Sequence, residues 1–363
     1  MGHGLLRVGL LFGGESPEHE VSIVSARSVA RNLDSARFAV VPIGVARNGV
    51  WAVAGDPFAR MERGELPVKS DLPFLPLERG AERTPLPDVF FNVIHGAGGE
   101  DGQILGYLEL LKVPCAGAGR LALAVAMDKW MAKRVWEAEG LPVVPYRAIA
   151  EADWRGGRGG FLEQCLGLGL PLFVKPANTG SSVGIEKVKH SDGLEAAIDN
   201  AFLYDRRVLV EKGLDAREME IAVLGGHDPI VSVPGEILVA GDYYDFADKY
   251  LNGLSETLAP ADLPDDLAQK MRAMARRAFL SLDGYGFARV DFFLERESGE
   301  VYINEINTIP GFTDISMFPK LMELSGITYQ TQLTALIDLA LARHAQMAGK
   351  QLGFESGCAW FKS

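Results

Sequence analysis

The sequence is poor in cysteine and contains no long apolar run. Its 363 residues include only three cysteines, Cys115, Cys165 and Cys358, which lie far apart and in no metal-binding spacing. An odd and scattered set of thiols is typical of a reducing compartment, so we expect a cytoplasmic protein with free cysteines. No apolar run approaches the roughly 20 residues that span a bilayer, and the run 5–12 is too short for a signal peptide and has no cleavage site. We therefore expect no membrane partner.

Excess positive charge is also absent. The chain has 36 Lys and Arg against 48 Asp and Glu, which gives a formal net charge of −12. This balance disfavours nonspecific binding to nucleic acid, so we expect no nucleic-acid partner. The 48% hydrophobic and 23% charged fractions are typical of a globular protein, and the length suits two or three domains. We find no internal repeat and no low-complexity tract.

The first 122 residues have the pattern of an α/β domain. Strand-like apolar runs and helix-like periodicity alternate, and the Pro- and Gly-rich stretch 55–87 is typical of an extended connection or insertion. The predicted strands are 5–12, two runs within 38–53, and 88–94. The predicted helices are 20–33 and 103–111.

The turn after the first strand is Gly-Gly-Glu-Ser-Pro-Glu-His-Glu-Val-Ser at 13–22. It lacks the three spaced glycines of a dinucleotide fingerprint and places acids where a pyrophosphate would lie, so we reject that function here, and with it a nicotinamide-dependent dehydrogenase. An acid such as Glu18 would instead suit a ligand's ammonium group. The simpler interpretation of Glu18 is an acid that stabilises a helix N-terminus.

A second glycine-rich loop begins at His95 and continues Gly-Ala-Gly-Gly-Glu-Asp-Gly to residue 102. Four glycines in eight residues allow a ligand to approach the backbone closely. The helix predicted at 103–111 starts at this loop, and its N-terminus could face an anion. The composition favours a binding loop over an ordinary connection.

The remainder of the chain alternates further helices and strands before a tail from residue 349. The predicted helices are 128–139, a short one within 153–169, 193–203, 264–282 and 329–348. The predicted strands are 171–175, 208–212, 217–224, 229–239, 287–294 and 300–306. Residues 242–253 are polar and aromatic, which is typical of a mobile loop.

The loop that follows Lys175 carries Ser181 and Ser182 between Gly180 and Gly184. Hydroxyl groups and backbone N–H groups in such a loop are suited to covering a triphosphate, and the lysine adds a positive charge. The loop is not a P-loop, because Gly-Lys-Ser/Thr before a helix is absent. A plain hairpin turn would have the same local pattern.

The strands 287–294 and 300–306 predict a β-hairpin. If its turn centres near Ser298, Asp291 lies opposite Glu305 and Arg289 lies opposite Asn307, all on one face. Two neighbouring carboxylates are costly to desolvate unless a cation lies between them, and their hard oxygens indicate Mg²⁺ or Mn²⁺. Magnesium commonly adds substrate phosphates to one or two carboxylates, which points to a nucleotide. The alternative is a solvent-facing polar side of an edge hairpin.

With these motifs placed, the chain resembles the D-alanine–D-alanine ligases of the ATP-grasp superfamily over nearly its whole length to about residue 345. The matching stretches keep their order along the chain. They are 13–22, 95–102, Met-Asp-Lys at 127–129, 175–184, Lys-Tyr at 249–250, Gly-Phe-Ala-Arg-Val-Asp at 286–291 and Asn-Glu-Ile-Asn-Thr-Ile-Pro-Gly-Phe-Thr at 304–313.

The resemblance implies a three-domain α/β ATP-grasp architecture. The N-terminal domain, 1–122, would be Rossmann-like (preATP-grasp) and bind the first D-alanine. The central subdomain, 123–212, and the C-terminal subdomain, 213–363, would grip ATP, with a lid at about 242–253. The family resemblance also implies a cytoplasmic homodimer that makes the peptidoglycan dipeptide from D-alanine and ATP with two Mg²⁺ or Mn²⁺ ions.

Residue roles follow from the resemblance, position by position. The groups expected to bind ATP are Lys129, Lys175, Ser181, Ser182, Glu211, Lys212, Glu218 and Lys249, with Glu220 as a competing position for Glu218. The expected substrate-binding groups are Glu18, His95, Arg289, Gly311, Ser316 and Met317. The expected catalytic groups are Glu18, Ser181, Tyr250, Arg289 and Gly311. The expected metal ligands are Asp291, Glu305 and Asn307.

Two other functions remain open on this fold. The second substrate could be D-lactate or D-serine, although the Lys249–Tyr250 pair resembles that of the D-alanine enzymes. A nucleotide-binding protein without catalytic activity would have no need of the full set of Arg289, Asp291, Glu305 and Asn307. Accumulation of ADP only in the presence of D-alanine would separate an enzyme from such a binding protein.

Overall fold

The computed structural model describes residues 4–52, 55–65, 86–238, 256–313 and 315–350. The predicted lid at 242–253, with Lys249 and Tyr250, lies outside the described residues. So do Cys358 and almost all of the tail predicted from residue 349. Within the described part of the chain, no helix is long and apolar enough to cross a membrane.

The first sheet has five strands in the order β3-β2-β1-β4-β5. Strands β1, β2, β4 and β5 are parallel, and β3 pairs antiparallel with β2 at the edge. The central strands are runs of buried apolar residues, as expected for a parallel sheet covered by helices. The strands are β1 Leu6–Gly13, β2 Phe38–Val45, β3 Trp51–Ala52, β4 Val89–Asn92 and β5 Cys115–Ala116. The helices of this region are α1 His19–Asn32, α2 Pro57–Glu62 and α3 Gln103–Leu110.

The second sheet is antiparallel and has four strands in the order β6-β9-β7-β8. Its apolar face packs on a separate core around Trp154, Cys165 and Ile198. The strands are β6 Tyr146–Ala150, β7 Leu172–Pro176, β8 Glu186–Val188 and β9 Arg207–Lys212. The helices are α6 Glu151–Gly156, α7 Gly159–Leu166 and α8 Leu194–Ala201, with a short 3₁₀ turn at Ser191–Gly193.

The third sheet has six strands in the order β13-β12-β10-β14-β15, and β11 pairs with β10 beside it. Helix α9 packs on β10 and β14. The strands are β10 Ala216–Gly225, β11 Ile230–Val231, β12 Gly235–Leu238, β13 Glu256–Leu258, β14 Gly286–Glu295 and β15 Val301–Asn307. The remaining helices are α4 Arg120–Met127, α5 Lys129–Ala138, α9 Asp265–Ser281, α10 Met317–Leu324 and α11 Tyr329–Ala348.

Two pairs of helices connect the layers. Helices α4 and α5 share the buried core of the third sheet, although they precede the second sheet in the chain. Helices α10 and α11 bury apolar residues in one core with the first and third sheets. The predicted boundary at 122/123 falls inside α4, and the boundary at 212/213 follows β9. The limits of the three domains stay predictions.

Several elements differ from the sequence-based expectation. The stretch 55–87 contains a helix, α2, whose N-cap Asp56 accepts a hydrogen bond from the Ala59 N–H and whose first residue is a proline. The stretch 153–169 contains two helices, one before and one after Gly157. The single strand expected at 229–239 is two short strands, because Ser232 interrupts it and its hydroxyl accepts from the Ala222 N–H at 2.9 Å. Strands β5, β6 and β13 and helices α4 and α10 were not anticipated.

Phe287 lies where the first and third sheets meet. Its ring packs at 6.3 Å from the Phe91 ring of the first sheet, 5.3 Å from Phe312 and 5.7 Å from Phe318, and it is fully buried. These contacts join Phe91 of β4 to residues 287–318 near the other end of the chain. The aromatic cluster therefore holds the layers together.

We expect Phe287→Ala to lower the free energy of unfolding by about 3–5 kcal/mol, because a large aromatic side chain leaves a cavity that its neighbours fill only in part. Urea unfolding followed by circular dichroism measures the loss. The control is Leu110→Ala, since Leu110 is 83% exposed and its loss should cost about 0.5 kcal/mol or less. Equal losses in the two variants would contradict a buried bridging role for Phe287.

Candidate functional site

The predicted hairpin forms with the predicted pairing. In the β14–β15 register Asp291 is the partner of Glu305, and Arg289 is the partner of Asn307. A β-bulge at Asp291/Phe292 leaves Asn304 as an extra residue on β15. As a result, both Asn304 and Glu305 line the same cleft, although neighbouring side chains on a regular strand point to opposite faces. The bulge was not predicted.

Arg289 is held between two carboxylates. Its Nε and NH2 donate to the two oxygens of Asp291 at 2.7 and 2.6 Å, and Nε lies 3.2 Å from Glu220 Oε1 on the neighbouring strand β10. Burial disfavours the charge on Arg289, but Asp291 and Glu220 outweigh it and keep the pKa of Arg289 well above its ordinary value. The guanidinium is therefore a permanently charged group of fixed position.

The predicted metal ligands lie on one face of the β14–β15 pair. Asp291 and Glu305 face each other across the strand pair, and the Asn307 amide follows on the same face. Two carboxylates and an amide are hard oxygen donors that fit Mg²⁺ or Mn²⁺ when phosphate oxygens complete the shell. Within the described ranges no group of three His, Cys, Asp or Glu side chains could hold a metal. The fit of Asp291, Glu305 and Asn307 to such an ion rests on the chemistry of their oxygen donors.

A cleft of about 630 Å³ lies between the second and third sheets, and we call it the first cleft. Every residue predicted to bind ATP lines it, apart from Lys249, which lies outside the described residues. Those lining residues are Lys129, Lys175, Ser181, Ser182, Glu211, Lys212 and Glu218. Glu220 lines it as well, so the cleft does not decide between Glu218 and Glu220 as the position that faces a ribose.

Glu211 is buried between two lysines. Lys175 Nζ lies 2.6 Å from one carboxylate oxygen, and Lys133 Nζ lies 3.0 Å from the other. Burial would raise the pKa of Glu211, but the two ammonium groups outweigh it and lower the pKa to about 2. Its contribution to stability is therefore complete above its ordinary pKa of 4.5 and is lost only as the pH falls towards 2. Lys133 was not among the predicted site residues.

The serine loop is anchored at its base and strained at its tip. Ser181 and Ser182 have φ angles of 49° and 59°, in the left-handed region that costs a non-glycine residue roughly 1–2 kcal/mol. The Asn178 N–H donates to Asp205 at 2.8 Å, and Lys129 Nζ donates to the Thr179 carbonyl at 2.6 Å. The loop thus presents its two hydroxyls to the first cleft from a fixed base.

A second cleft, of about 660 Å³, opens between the first and third sheets. All six predicted substrate-binding residues line it, namely Glu18, His95, Arg289, Gly311, Ser316 and Met317. Lys129, Ser181, Glu220, Ile237, Arg289 and Glu305 line both clefts. The two clefts therefore meet at the charged face of the hairpin.

Glu18 occupies the N-cap position of α1, as the simpler interpretation required, but its side chain makes no capping hydrogen bond. The carboxylate lies instead close to the loop 95–102 and the serine loop. A Cβ placed on Gly96 would be 3.3 Å from Glu18 Oε2, and one placed on Gly180 would be 3.6 Å from it. Glu18 is only 8% exposed. This position is suited to a ligand ammonium group in the second cleft. Ser181 lies beside it, whereas Tyr250 is outside the described residues.

His95 belongs to a buried network that also holds Gly311. His95 Nδ1 donates to the Ile309 carbonyl at 2.8 Å, and its Nε2 lies 3.2 Å from Ser25 Oγ. Burial acts against a charged imidazole, but Glu100 and Glu18 outweigh it and raise the pKa of His95. Burial raises the pKa of Glu100 as well. A positive charge on His95 is thus favoured beside two acids.

The loop that carries Gly311 is fixed on both sides. The Phe312 N–H donates to Ser25 Oγ at 3.3 Å, and the Tyr329 hydroxyl donates to the Phe312 carbonyl at 2.5 Å. The Gly311 N–H has no hydrogen-bond partner within the described part of the chain, and Gly311 lines the second cleft. A Cβ on Gly311 would lie 2.8 Å from Ser316 Oγ, so the position favours glycine. Ser25 and Tyr329 were not predicted from the sequence, because only the folded chain brings them to this loop.

Comparisons with known proteins identify a single family. Family models for the D-Ala-D-Ala ligase N-terminus and C-terminus match residues 7–118 and 135–338. A D-alanine–D-alanine ligase from Heliobacterium modesticaldum is 44% identical, covering 93% of this chain and 95% of its own. D-alanine–D-alanine ligase A from Bradyrhizobium diazoefficiens is 45% identical, covering 97% and 99%.

Solved structures give the same result. The D-alanine–D-alanine ligase from Coxiella burnetii superposes with a TM-score of 0.82 at 34% identity, covering 95% of this chain and 96% of its own. The VanG D-Ala:D-Ser ligase from Enterococcus faecalis also gives 0.82, at 32% identity, covering 93% and 100%. Both the mixed α/β ATP-grasp fold and the predicted resemblance are confirmed: this chain belongs to the D-alanine–D-alanine ligase family.

Proposed function

We propose that this protein joins two D-alanine molecules to D-alanyl-D-alanine at the expense of ATP, which makes a precursor of peptidoglycan. The observation that carries this function is the meeting of the two clefts at Lys129, Ser181, Arg289 and Glu305. A nucleotide in the first cleft would direct its phosphates at a substrate in the second. Family membership supports the same reaction.

In the first half-reaction, the carboxylate of the first D-alanine attacks the γ-phosphorus of ATP, and ADP leaves. The product is D-alanyl phosphate. Glu18 would hold the ammonium group, while Lys129, Lys175 and the predicted Lys249 would stabilise the phosphates. Ser181 and Ser182 would cover the triphosphate with hydroxyl and N–H donors.

In the second half-reaction, the deprotonated amine of the second D-alanine attacks the acyl carbon. The peptide bond forms, and the bond between carbon and the bridging oxygen breaks, which releases phosphate. The charge of the tetrahedral intermediate would be stabilised by Arg289 and the Gly311 N–H. Ser316 and Met317 would hold the second carboxylate at the start of α10.

We infer that the reaction uses two Mg²⁺ or Mn²⁺ ions, and that Asp291, Glu305 and Asn307 would hold them. Bound there, the ions would offset negative charge between the β- and γ-phosphates. Arg289 and Lys129 would also offset phosphate charge, since Arg289 lies next to Asp291 and Lys129 lies next to Glu305.

Further parts of the proposal rest on the family resemblance alone. They are the three domains at 1–122, 123–212 and 213–363, a cytoplasmic homodimer, and a lid at about 242–253 that excludes water from the acyl phosphate. Tyr250 would join Glu18 and Ser181 at the closed site and would favour D-alanine as the second substrate. A D-Ala:D-Ser ligase among the solved relatives keeps D-serine as the second candidate.

A competition assay tests the choice of product. With ATP, Mg²⁺ and equal D-alanine, D-lactate and D-serine near neutral pH, we expect D-alanyl-D-alanine to dominate, with one ADP released per dipeptide. Mass spectrometry identifies the product, and a reaction without D-alanine is the control. A dominant depsipeptide or D-alanyl-D-serine would contradict the assignment, and ADP release without D-alanine would contradict coupled ligation.

The role of Glu18 is tested by Glu18→Gln. We expect the KM for the first D-alanine to rise about 10- to 100-fold, because a hydrogen bond between charged groups is lost, while the KM for ATP changes little. Steady-state kinetics with each substrate varied separately measures both.

The matched control for this variant is Glu62→Gln on α2, since Glu62 lines neither cleft. Its side chain is 47% exposed and pairs with Arg27 of α1, so we expect wild-type kinetics. Equal KM values in the Glu18 and Glu62 variants would rule out the assigned role of Glu18.

A further inference from the structure

Lys133 is a buried cation with no assigned role in the reaction. It lies one helical turn after Lys129 on α5, its side chain is 1% exposed, and its Nζ is 3.0 Å from Glu211 Oε1. Lys175 and Glu211 line the first cleft, whereas Lys133 lies behind Glu211. A buried lysine behind a ligand-facing carboxylate must act through that carboxylate.

Two lysines, Lys133 and Lys175, pair with the single carboxylate of Glu211. Lys175 Nζ is 2.6 Å from Glu211 Oε2, so each carboxylate oxygen has its own ammonium group. Desolvating a second lysine is unfavourable, and burial lowers the pKa of Lys133 although Glu211 opposes the shift. A single pair would satisfy Glu211 at a smaller desolvation cost. The second lysine therefore calls for a functional explanation.

The surroundings of Lys133 keep its ammonium group in place. The Tyr146 ring lies 5.5 Å from Lys133 Nζ, and Tyr146 is the register partner of Glu211 on β6 and β9. The Tyr146 hydroxyl donates to Glu137 at 2.9 Å, one turn further along α5. Lys133 thus stays with Glu211, while Lys175 is the cation that reaches the cleft.

We propose that Lys133 is a positioning residue that keeps Glu211 neutralised when Lys175 turns from Glu211 to a nucleotide phosphate. This inference rests on the proposed binding of ATP in the first cleft. With Lys175 as its only partner, Glu211 would be left as an uncompensated buried carboxylate whenever that lysine moved. The phosphate and Glu211 would then compete for one cation.

A double-mutant cycle tests the exchange. Calorimetry measures the affinity of Mg²⁺-ATP for the wild type, Lys133→Met, Glu211→Gln and the double variant. We expect Lys133→Met to weaken binding about 10- to 100-fold, because a buried carboxylate loses one of its two ion-pair partners. With Glu211 already replaced, adding Lys133→Met should change the affinity by less than about threefold, because no buried anion then retains Lys175.

Controls separate this role from general electrostatics and from misfolding. Arg134→Met removes a positive charge from the exposed face of the same helix and should leave ATP affinity unchanged. Lys133→Gln keeps a hydrogen-bond donor without the charge and should weaken binding as Lys133→Met does. The thermal unfolding midpoint of each variant shows whether it is folded. In Lys133→Met and Lys133→Gln the Lys175–Glu211 ion pair remains.

The outcomes are distinct. If the effects of the Lys133 and Glu211 substitutions on ATP affinity were additive, or if Lys133→Gln bound ATP as tightly as the wild type, the proposal for Lys133 would be wrong. The proposed function would still stand, because the wild type would still bind ATP. If the wild type itself bound no ATP, the proposed function would fail, and the role of Lys133 with it.

Discussion

The site depends on the register of β14 between β10 and β15. Arg289 and Asp291 face the clefts, whereas their neighbours Ala288 and Val290 are buried in the core of the third sheet. A shift by one residue would bury the charges and expose the apolar side chains, so the core enforces the register. The ion pair between Arg289 and Asp291 then fixes the orientation of the guanidinium. Every role proposed for this face follows from that alternation.

Charge compensation is the second organising feature. Three cations that line the first cleft have carboxylate partners: Arg289 has Asp291 and Glu220, Lys175 has Glu211, and Lys129 lies 3.7 Å from Glu305. In the proposed mechanism, a polyphosphate would bind these three cations by exchange with their carboxylate partners, and divalent ions would take up the carboxylates that are released. The buried second lysine at Glu211 is consistent with such an exchange.

The fold class, the hairpin register and the predicted cleft-lining residues were accessible from the sequence, because alternation, glycine spacing and family motifs are local signals. Asn304 was missed, since a bulge depends on the partner strand. Ser25 and Tyr329 were missed because their contacts join α1, α11 and the Gly311 loop. The burial of Lys133 could have been predicted from the helical spacing. It shares one face of α5 with Lys129, Ala132 and Trp136, and that face is largely buried. Residues 242–253 lie outside the described residues, so the lid stays a prediction.

The most direct test of the account follows the oxygen atoms of the substrate. D-Alanine labelled with ¹⁸O in its carboxylate is incubated with the enzyme, ATP and Mg²⁺, and the phosphate released is analysed by mass spectrometry. If the carboxylate attacks the γ-phosphorus, the bridging oxygen leaves with phosphate, so each phosphate carries one ¹⁸O. Dipeptide formation with unlabelled phosphate would contradict an acyl phosphate intermediate at the junction of the two clefts.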